Sequence, residues 1–217
     1  MVEDNVIRIL KELPPEVKLV AVSKFHPCEE IMEAYKAGHK RFGENRPQEF
    51  ASKARQLPQD IEWHFIGHLQ TNKLKLVLPY ACLVESIDSR RLLDAVEAWG
   101  ASNGKVIDVL LELHLGTEET KGGFTESEIE EILRTQNIFP HVRFLGLMGM
   151  ATNTDDESVV EADFARIETF KKRLDEMFHL PEFTELSIGM SHDWPLAVRH
   201  GATIVRLGTA IFGPRVY

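Results

Sequence analysis

The sequence predicts an α/β protein, a single (β/α)8 TIM barrel preceded by an N-terminal helix. Short runs of β-branched and apolar residues alternate about eight times with segments of helical period. Such alternation indicates a parallel sheet covered by helices. Eight units in 217 residues fit a closed barrel, because α/β barrels commonly take about 200 to 250 residues as one domain. An open doubly wound sheet is the alternative.

The first elements set the pattern for the rest. Residues 2–13 carry apolar residues at helical spacing and end before Pro14-Pro15, which predicts a lead-in helix. The run 17–23 is apolar on both faces, as in a strand covered on both sides. A helix over 27–36 follows and ends near Gly38.

The same unit then recurs to the end of the chain. Further strands are expected to begin near Arg41, Ile61, Ala81, Val106, Val142, Phe183 and Thr203. Helices are expected over 48–57, 72–77, 90–99, 127–135, 159–177 and 195–200. No Pro-rich or Ser-rich linker and no internal repeat interrupts the series, so one domain over residues 1–217 is expected.

Composition and charge exclude several classes of protein. A hydrophobic fraction of 43% is too high for a disordered chain, and the net charge of −9 argues against binding nucleic acid or anionic membranes by charge. No window reaches the roughly 18 uncharged apolar residues of a membrane-spanning helix, and the N-terminal residues lack a signal-peptide pattern. We expect a cytoplasmic protein, a monomer, with Cys28 and Cys82 reduced.

Functional residues of such a barrel are expected at the carboxyl ends of the strands. Lys24 ends the first apolar strand, which would hold its amine at the mouth of the barrel beside low-dielectric walls. Such surroundings lower the pKa of an ammonium group and expose a nucleophilic amine, as Schiff-base chemistry requires. From position alone, a lysine that extends into solvent is the alternative.

The junctions after the seventh and eighth strands predict a phosphate site. Ser191 and Thr209 offer hydroxyl groups there, and Gly189 and Gly208 offer backbone amides. Loops after these two strands often bind phosphate in (β/α)8 barrels. Two such turns at both expected junctions indicate a ligand that carries a phosphate group.

Arg206 bears on the choice of ligand. A lysine and a phosphate site together suggest either a phosphorylated carbonyl substrate or pyridoxal 5′-phosphate. An arginine facing the pyridine nitrogen of that cofactor would keep the nitrogen unprotonated and weaken the ring as an electron sink. Arg206 could equally neutralise a phosphate or form an ion pair at the rim.

Three other motifs have simpler interpretations, and no metal site is expected. His64 and His68 flank the third strand, where four residues span roughly 13 Å, so they cannot share one ion. The run Asp155-Asp156-Glu157 is interpreted as a helix cap and not as a calcium loop. The pair Gly122-Gly123 is interpreted as a turn at the fifth strand.

Motifs along nearly the whole chain resemble the pyridoxal phosphate homeostasis protein family, also called the YggS or proline-synthase co-transcribed family. They occur in the family's order. The motifs are Ala21-Val22-Ser23-Lys24, Phe42-Gly43-Glu44-Asn45 with Gln48, residues 63–73, residues 118–121 with Gly123-Phe124, Leu145-Gly146-Leu147-Met148, residues 189–193 and residues 201–213.

This resemblance implies a barrel like the N-terminal domain of alanine racemase, with pyridoxal 5′-phosphate linked to Lys24. Family members are regarded as carriers or buffers of the cofactor without an established turnover, so apo-forms of enzymes that use it are the expected recipients. The other residues that the resemblance places at the cofactor are Ser191, Gly208 and Thr209 at the phosphate, Arg206 at the pyridine nitrogen and Asn45 at the ring.

Two positions depart from the pattern of the family. Glu85 stands where many relatives have His, and Arg46 stands where many have Tyr. Both are expected to alter the mouth of the pocket and to leave binding of the cofactor intact.

Two enzyme functions are alternatives. A racemase of free amino acids usually needs two acid/base groups, and alanine racemase takes its tyrosine base from an added domain. Here Tyr35 and Tyr80 are expected away from the mouth, and the chain ends at Tyr217 directly after the barrel. A Schiff-base aldolase acting on a sugar phosphate would use the same lysine and phosphate site.

Overall fold

The computed structural model describes residues 1–116 and 122–214, in which eight parallel strands close into a barrel. Each strand pairs with the next along the chain, and β8 pairs with β1 from Ile204 opposite Lys18 to Leu207 opposite Ala21. This closure confirms the predicted barrel over an open sheet. The strands are β1 Lys18–Val22, β2 Arg41–Glu44, β3 Glu62–Phe65, β4 Ala81–Ile87, β5 Ile107–Leu113, β6 Val142–Gly149, β7 Glu185–Ser187 and β8 Ile204–Leu207.

Helices follow the strands as predicted, after the lead-in helix α1. Among them, α5 continues to Asn103, four residues past the predicted end, and ends at Gly104, whose φ of 62° is left-handed. A single turn, α9, was not predicted. The helices are α1 Val2–Glu12, α2 Cys28–Lys36, α3 Pro47–Gln56, α4 Leu74–Val77, α5 Arg90–Asn103, α6 Glu126–Arg134, α7 Glu157–Phe178, α8 Trp194–Arg199 and α9 Thr209–Phe212.

Side-chain caps fix several helix starts. The Thr125 hydroxyl and the Glu128 carboxylate form a capping box at α6. The Asp156 carboxylate accepts hydrogen bonds from the Ser158 hydroxyl at 2.6 Å and the Ser158 N–H at 3.0 Å at the start of α7, and these contacts lower the pKa of Asp156. The interpretation of 155–157 as a helix cap is therefore confirmed.

The core has two parts. A large cluster fills the space between the strands and the helices, and α1 packs on α2 and α9 beside it. A small cluster draws one buried side chain from each of five strands, and its members contact one another inside the barrel. They are Val20, Leu83, Leu110, Met148 and Ile204, which we call the inner apolar layer.

Strand periodicity places a second layer directly above this one. Side chains two residues apart on a strand point to the same face, so the residues two positions after the inner apolar layer also point inward. At three of these positions the residue is charged, namely Glu85, Glu112 and Arg206. The barrel interior therefore changes from apolar to charged toward the carboxyl ends of the strands.

None of the helices in residues 1–116 and 122–214 combines the length and apolar character needed to cross a bilayer. The motif Glu118-Glu119-Thr120-Lys121 and the terminal Tyr217 lie outside the described residues.

Candidate functional site

A cavity of about 800 Å³ opens at the carboxyl ends of the strands. The predicted site residues that line it are Lys24, Asn45, Ser191, Arg206, Gly208 and Thr209. A smaller cavity of about 480 Å³ shares Met190 and His192 with it and contains no predicted site residue. The larger cavity is therefore the candidate site.

A buried cluster fixes the backbone before Lys24. The Lys53 ammonium donates hydrogen bonds to the Ser23 carbonyl at 2.8 Å and to Glu44 Oε1 at 2.7 Å. The Ser23 hydroxyl donates to the same Glu44 oxygen at 2.7 Å. Burial raises the pKa of Glu44, while the charge of Lys53 and its hydrogen bond act to lower it. These contacts hold the end of β1, and with it the residue that carries the predicted amine.

The residue after Lys24 has an uncommon conformation. Phe25 has a φ of 68°, a left-handed value that is rare for bulky side chains. Its N–H donates to Glu49 Oε1 at 2.7 Å, and the Arg46 guanidinium lies 4.3 Å from the centre of its ring. Arg46 therefore packs on Phe25 at the rim, outside the residues that line the cavity. Backbone strain of this kind often accompanies functional sites.

The predicted phosphate residues do come together. The Ser191 hydroxyl accepts hydrogen bonds from the N–H groups of Gly208 at 3.2 Å and Ala210 at 3.3 Å. Thr209 lies between these two residues and also lines the cavity. Two hydroxyl groups and backbone amides thus form one group of potential donors to an anion.

Gly189, predicted to offer its amide to phosphate, has a packing role in the structure. It is not among the residues that line the cavity. Its φ is 92°, and a Cβ atom there would lie 2.6 Å from the Ala197 Cβ, so packing against α8 requires a glycine. Its carbonyl accepts the Arg206 N–H at 3.0 Å. A contact from its amide to phosphate stays a prediction.

The Arg206 guanidinium is held firmly in place, and the residue lines the cavity. The residue is only 5% exposed. Nη1 donates to the Ser187 carbonyl at 2.8 Å and to its hydroxyl at 2.5 Å, and Nη2 donates to the Gly149 carbonyl at 3.0 Å. Nη1 also lies 3.6 Å from Glu85 Oε2. The ion pair is thus buried in the barrel and does not lie at the rim.

Glu85 lies beneath the cavity, not at its mouth as expected. Its carboxylate is completely buried, with His64 Nδ1 at 2.5 Å and the Ser187 hydroxyl at 2.5 Å. Burial acts to raise the pKa of Glu85, but the hydrogen bond and charge of His64 and the charge of Arg206 lower it overall. Glu85 therefore carries the negative charge that balances Arg206.

Two further carboxyl groups on the cavity wall were not predicted. Glu112, on β5, is 7% exposed, and burial followed by the charge of Asp88 raises its pKa to about 7. Asp88 follows β4, and its Oδ2 lies 2.7 Å from His68 Nδ1. The two-residue alternation places Glu112 on the same face of β5 as Leu110, but the sequence alone does not show which face points into the barrel. His68 and His64 contact different carboxylates, in keeping with their interpretation as residues that share no ion.

The glycine pair 122–123 lies beside the end of β5. The Phe124 N–H donates to the Glu112 carbonyl at 2.7 Å, and the His114 N–H donates to the Phe124 carbonyl at 2.9 Å. Gly123 has a φ of 121°, and Gly122 lines the cavity next to Asp88. In the part of the chain that the structure describes, no group of three or more His, Cys, Asp and Glu residues could hold a metal ion.

Comparisons with known proteins agree with this geometry. The model of the family "Alanine racemase, N-terminal domain" matches residues 1–216. The pyridoxal phosphate homeostasis protein of Aquifex aeolicus is 40% identical over 201 residues, which cover 92% of this chain and 88% of the relative. The protein of that name from Schizosaccharomyces pombe is 37% identical over 202 residues, covering 92% and 84%.

Solved structures give the same result. PipY of Synechococcus elongatus PCC7942, solved with PLP bound, has a TM-score of 0.91 and 35% identity over 98% of this chain and 100% of its own. Alanine racemase from E. faecalis has a TM-score of 0.77 at 19% identity, with 99% of this chain and 58% of the racemase covered, which shows a shared fold alone. This chain therefore belongs to the family of pyridoxal phosphate homeostasis proteins.

Proposed function

We propose that the chain binds pyridoxal 5′-phosphate in the 800 Å³ cavity and acts in the homeostasis of this cofactor as a carrier or buffer. The observation that carries the proposal is that Lys24, the Ser191 donor group and the buried Arg206 all line one cavity. PipY, at 35% identity, has been solved with PLP bound. Relatives that are 40% and 39% identical to this chain are named pyridoxal phosphate homeostasis proteins.

The residues present match the chemical groups of the cofactor. When bound, it supplies an aldehyde that condenses reversibly with amines, and Lys24 would hold that end as a Schiff base. Asn45 lines the cavity, and its side-chain oxygen Oδ1 is buried without a hydrogen-bond partner among the described residues. A buried acceptor of this kind is costly unless a ligand or water satisfies it. Asn45 is therefore suited to contact the ring substituents.

The phosphate end is assigned to Ser191, Gly208 and Thr209. The Ser191 hydroxyl accepts a hydrogen bond from the Gly208 amide at 3.2 Å. A phosphate oxygen would accept from this amide and from the hydroxyl itself, and charge-assisted hydrogen bonds are stronger than neutral ones.

Arg206 supports a holding role over turnover. A guanidinium does not release its proton, so beside the pyridine nitrogen it would leave that nitrogen unprotonated. Its hydrogen bonds to Ser187 and Gly149 keep it in place. Tyr35 and Tyr80 bond to Asp60 and Arg55, and neither lines the cavity as a racemase base would.

The decisive experiment is the absorbance spectrum of the purified protein. We expect a visible band that Lys24→Ala abolishes, while the control Lys105→Ala, which alters an exposed lysine, retains it. Borohydride reduction followed by peptide mass analysis should place the added mass on the peptide that contains Lys24. A band that survives Lys24→Ala would refute the assignment.

Carrier function and turnover need separate assays. Loaded protein should reactivate an apo-enzyme faster than a mock-loaded control, and equal rates would count against a carrier. Solvent deuterium exchange at the α-carbon of amino acids should remain far below about 1 per second, a typical enzyme rate. Faster exchange would favour the racemase alternative. The cytoplasmic location, the monomeric state and the single unit over residues 1–217 stay predictions.

A further inference from the structure

We propose that Glu112 and Asp88 form a second subsite in the same cavity, which binds the ammonium group of a small amine beside the cofactor. The inference rests on the proposed function for the position of the cofactor, and it deepens that function by naming a class of ligand for other residues of the same lining. Both carboxylates belong to the cavity wall, together with Gly122 and His68.

Glu112 is the stronger of the two observations. Glu112 is only 7% exposed, and it lines the cavity. Its carboxylate makes no hydrogen bond to any residue in 1–116 or 122–214. A buried carboxylate without a partner is costly, so the site favours a ligand that donates hydrogen bonds and carries positive charge. An ammonium group has three donors and no acceptor, which suits such a site.

Asp88 supplies the second carboxylate and an opening to it. Its side chain is 7% exposed, and one oxygen already contacts His68. A Cβ atom at Gly122 would lie 3.3 Å from that same oxygen, so a glycine there leaves space next to the carboxylate. The charge of Asp88 also acts on Glu112 by raising its pKa. The two carboxyl groups therefore line the same cavity and act on each other through their charges.

The neighbouring cations do not neutralise this pair completely. Arg206 is 3.6 Å from Glu85 and is bonded to two backbone carbonyls, so much of its charge is already balanced. Around Glu112, the charge of Asp88 favours the protonated carboxyl, whereas Arg206, His68 and His114 favour the carboxylate. With burial, they place its pKa at about 7, so the carboxylate forms within the physiological range of pH.

A subsite of this kind would select amines from other solutes near the cofactor. Amines are the class of molecule that reacts with the aldehyde that Lys24 is proposed to hold. A carboxylate that titrates near neutral pH can also accept a proton from an ammonium group held against it. The two carboxylates therefore give the cavity a preference for amines, which a protein that only stores the cofactor would not need.

Calorimetric titration with two amines tests the inference. Propylamine can condense with an aldehyde, whereas N,N-dimethylpropylamine is a cation that cannot, and 1-propanol serves as the uncharged blank. Each is titrated into the wild-type protein, Glu112→Gln and the control Glu176→Gln, which removes an exposed carboxylate on α7. We expect Glu112→Gln to weaken binding of both amines by about tenfold or more and Glu176→Gln to leave it unchanged.

The pH profile distinguishes binding from a structural role. Wild-type affinity for N,N-dimethylpropylamine should rise as pH increases through about 7, because the Glu112 carboxyl loses its proton there. The rise should be absent in Glu112→Gln. If this variant fails to fold, Asp88→Asn and the wild-type profile supply the same test.

The outcomes separate this inference from the proposed function. Equal amine affinity in the three proteins, or a flat wild-type profile, would overturn the amine subsite even if the visible band is present. Amine binding that depends on Glu112 in a protein without the band would support the subsite and refute the cofactor assignment. A Glu112→Gln variant that loses the band with unchanged affinity for amines would show that Glu112 serves the cofactor instead, and would also overturn the inference.

Discussion

Replacing Glu85 by Gln is expected to destabilise the protein through a single buried charge. The carboxylate is completely buried and accepts contacts from His64 and Ser187, and it lies 3.6 Å from the Arg206 guanidinium. Glutamine has nearly the same shape, so little space is lost. It removes the charge, however, and it directs an NH2 group at neighbours that are donors themselves.

The size of the expected loss in stability depends on the hydrogen bonds that Arg206 keeps in the variant. Breaking a buried ion pair typically costs about 3 to 5 kcal/mol. We expect the lower end, about 3 kcal/mol, because Arg206 keeps its hydrogen bonds to Ser187 and Gly149. For a chain of this size, about 3 kcal/mol corresponds to a fall in Tm of roughly 6 to 12 °C.

Thermal and urea unfolding of cofactor-free protein measure the change, with Glu131→Gln as the matched control. Glu131 is exposed and pairs with Arg134 on one helix, so its replacement should change stability by less than about 0.5 kcal/mol. The pKa of Glu85 is lowered from 4.5 in the folded protein. Its contribution is therefore complete above about pH 4.5 and is lost as pH falls through the folded value.

The difference in stability between wild type and Glu85→Gln should consequently be largest at neutral pH and shrink below pH 4.5. A difference below about 1 kcal/mol at pH 7, or one that does not change with pH, would refute the role assigned to the charge.

Three further predictions concern the backbone around the site. Lys53→Met should lower the free energy of unfolding by about 3 kcal/mol, because it leaves the buried Glu44 carboxylate without its ion-pair partner at the end of β1. It should also weaken retention of the visible band. Urea unfolding measures the loss of stability, with Lys40→Met, at a half-exposed lysine, as the control. Gly189→Ala should cost more than about 2 kcal/mol in thermal unfolding, from both its left-handed φ and a 2.6 Å contact, whereas Gly201→Ala, with open space around it, should cost about 1 kcal/mol. Similar losses for the two glycines would contradict the packing argument. Ser191→Ala should weaken cofactor affinity by about tenfold or more in equilibrium dialysis, and an unchanged affinity would remove it from the phosphate site.

The fold was predictable because each strand has its own apolar run in the sequence. The apolar runs that start near Arg41 and Ala81 became β2 and β4, and closure of the barrel followed from their number. The turn α9 escaped prediction, since Thr209–Phe212 is too short to show a helical period.

The candidate site was predictable only in part, for a related reason. Lys24 and Ser191 lie just after strands, where the topology itself indicates function. Glu85 and Glu112 lie within strands, where the sequence pattern indicates burial but not which face of the sheet a residue takes. Which of these carboxylates reaches the cavity depends on the register between neighbouring strands, and that information comes from tertiary structure.

The inner apolar layer determines how a molecule can enter and leave the cavity. Five tightly packed apolar side chains close the barrel beneath the charged floor of the cavity, so no solute can pass from one end of the barrel to the other. A molecule that binds in this cavity must leave through the same opening at the carboxyl ends of the strands. For the proposed carrier function, uptake and delivery would therefore exclude each other in time, and a recipient would have to wait for spontaneous release or bind at that opening itself.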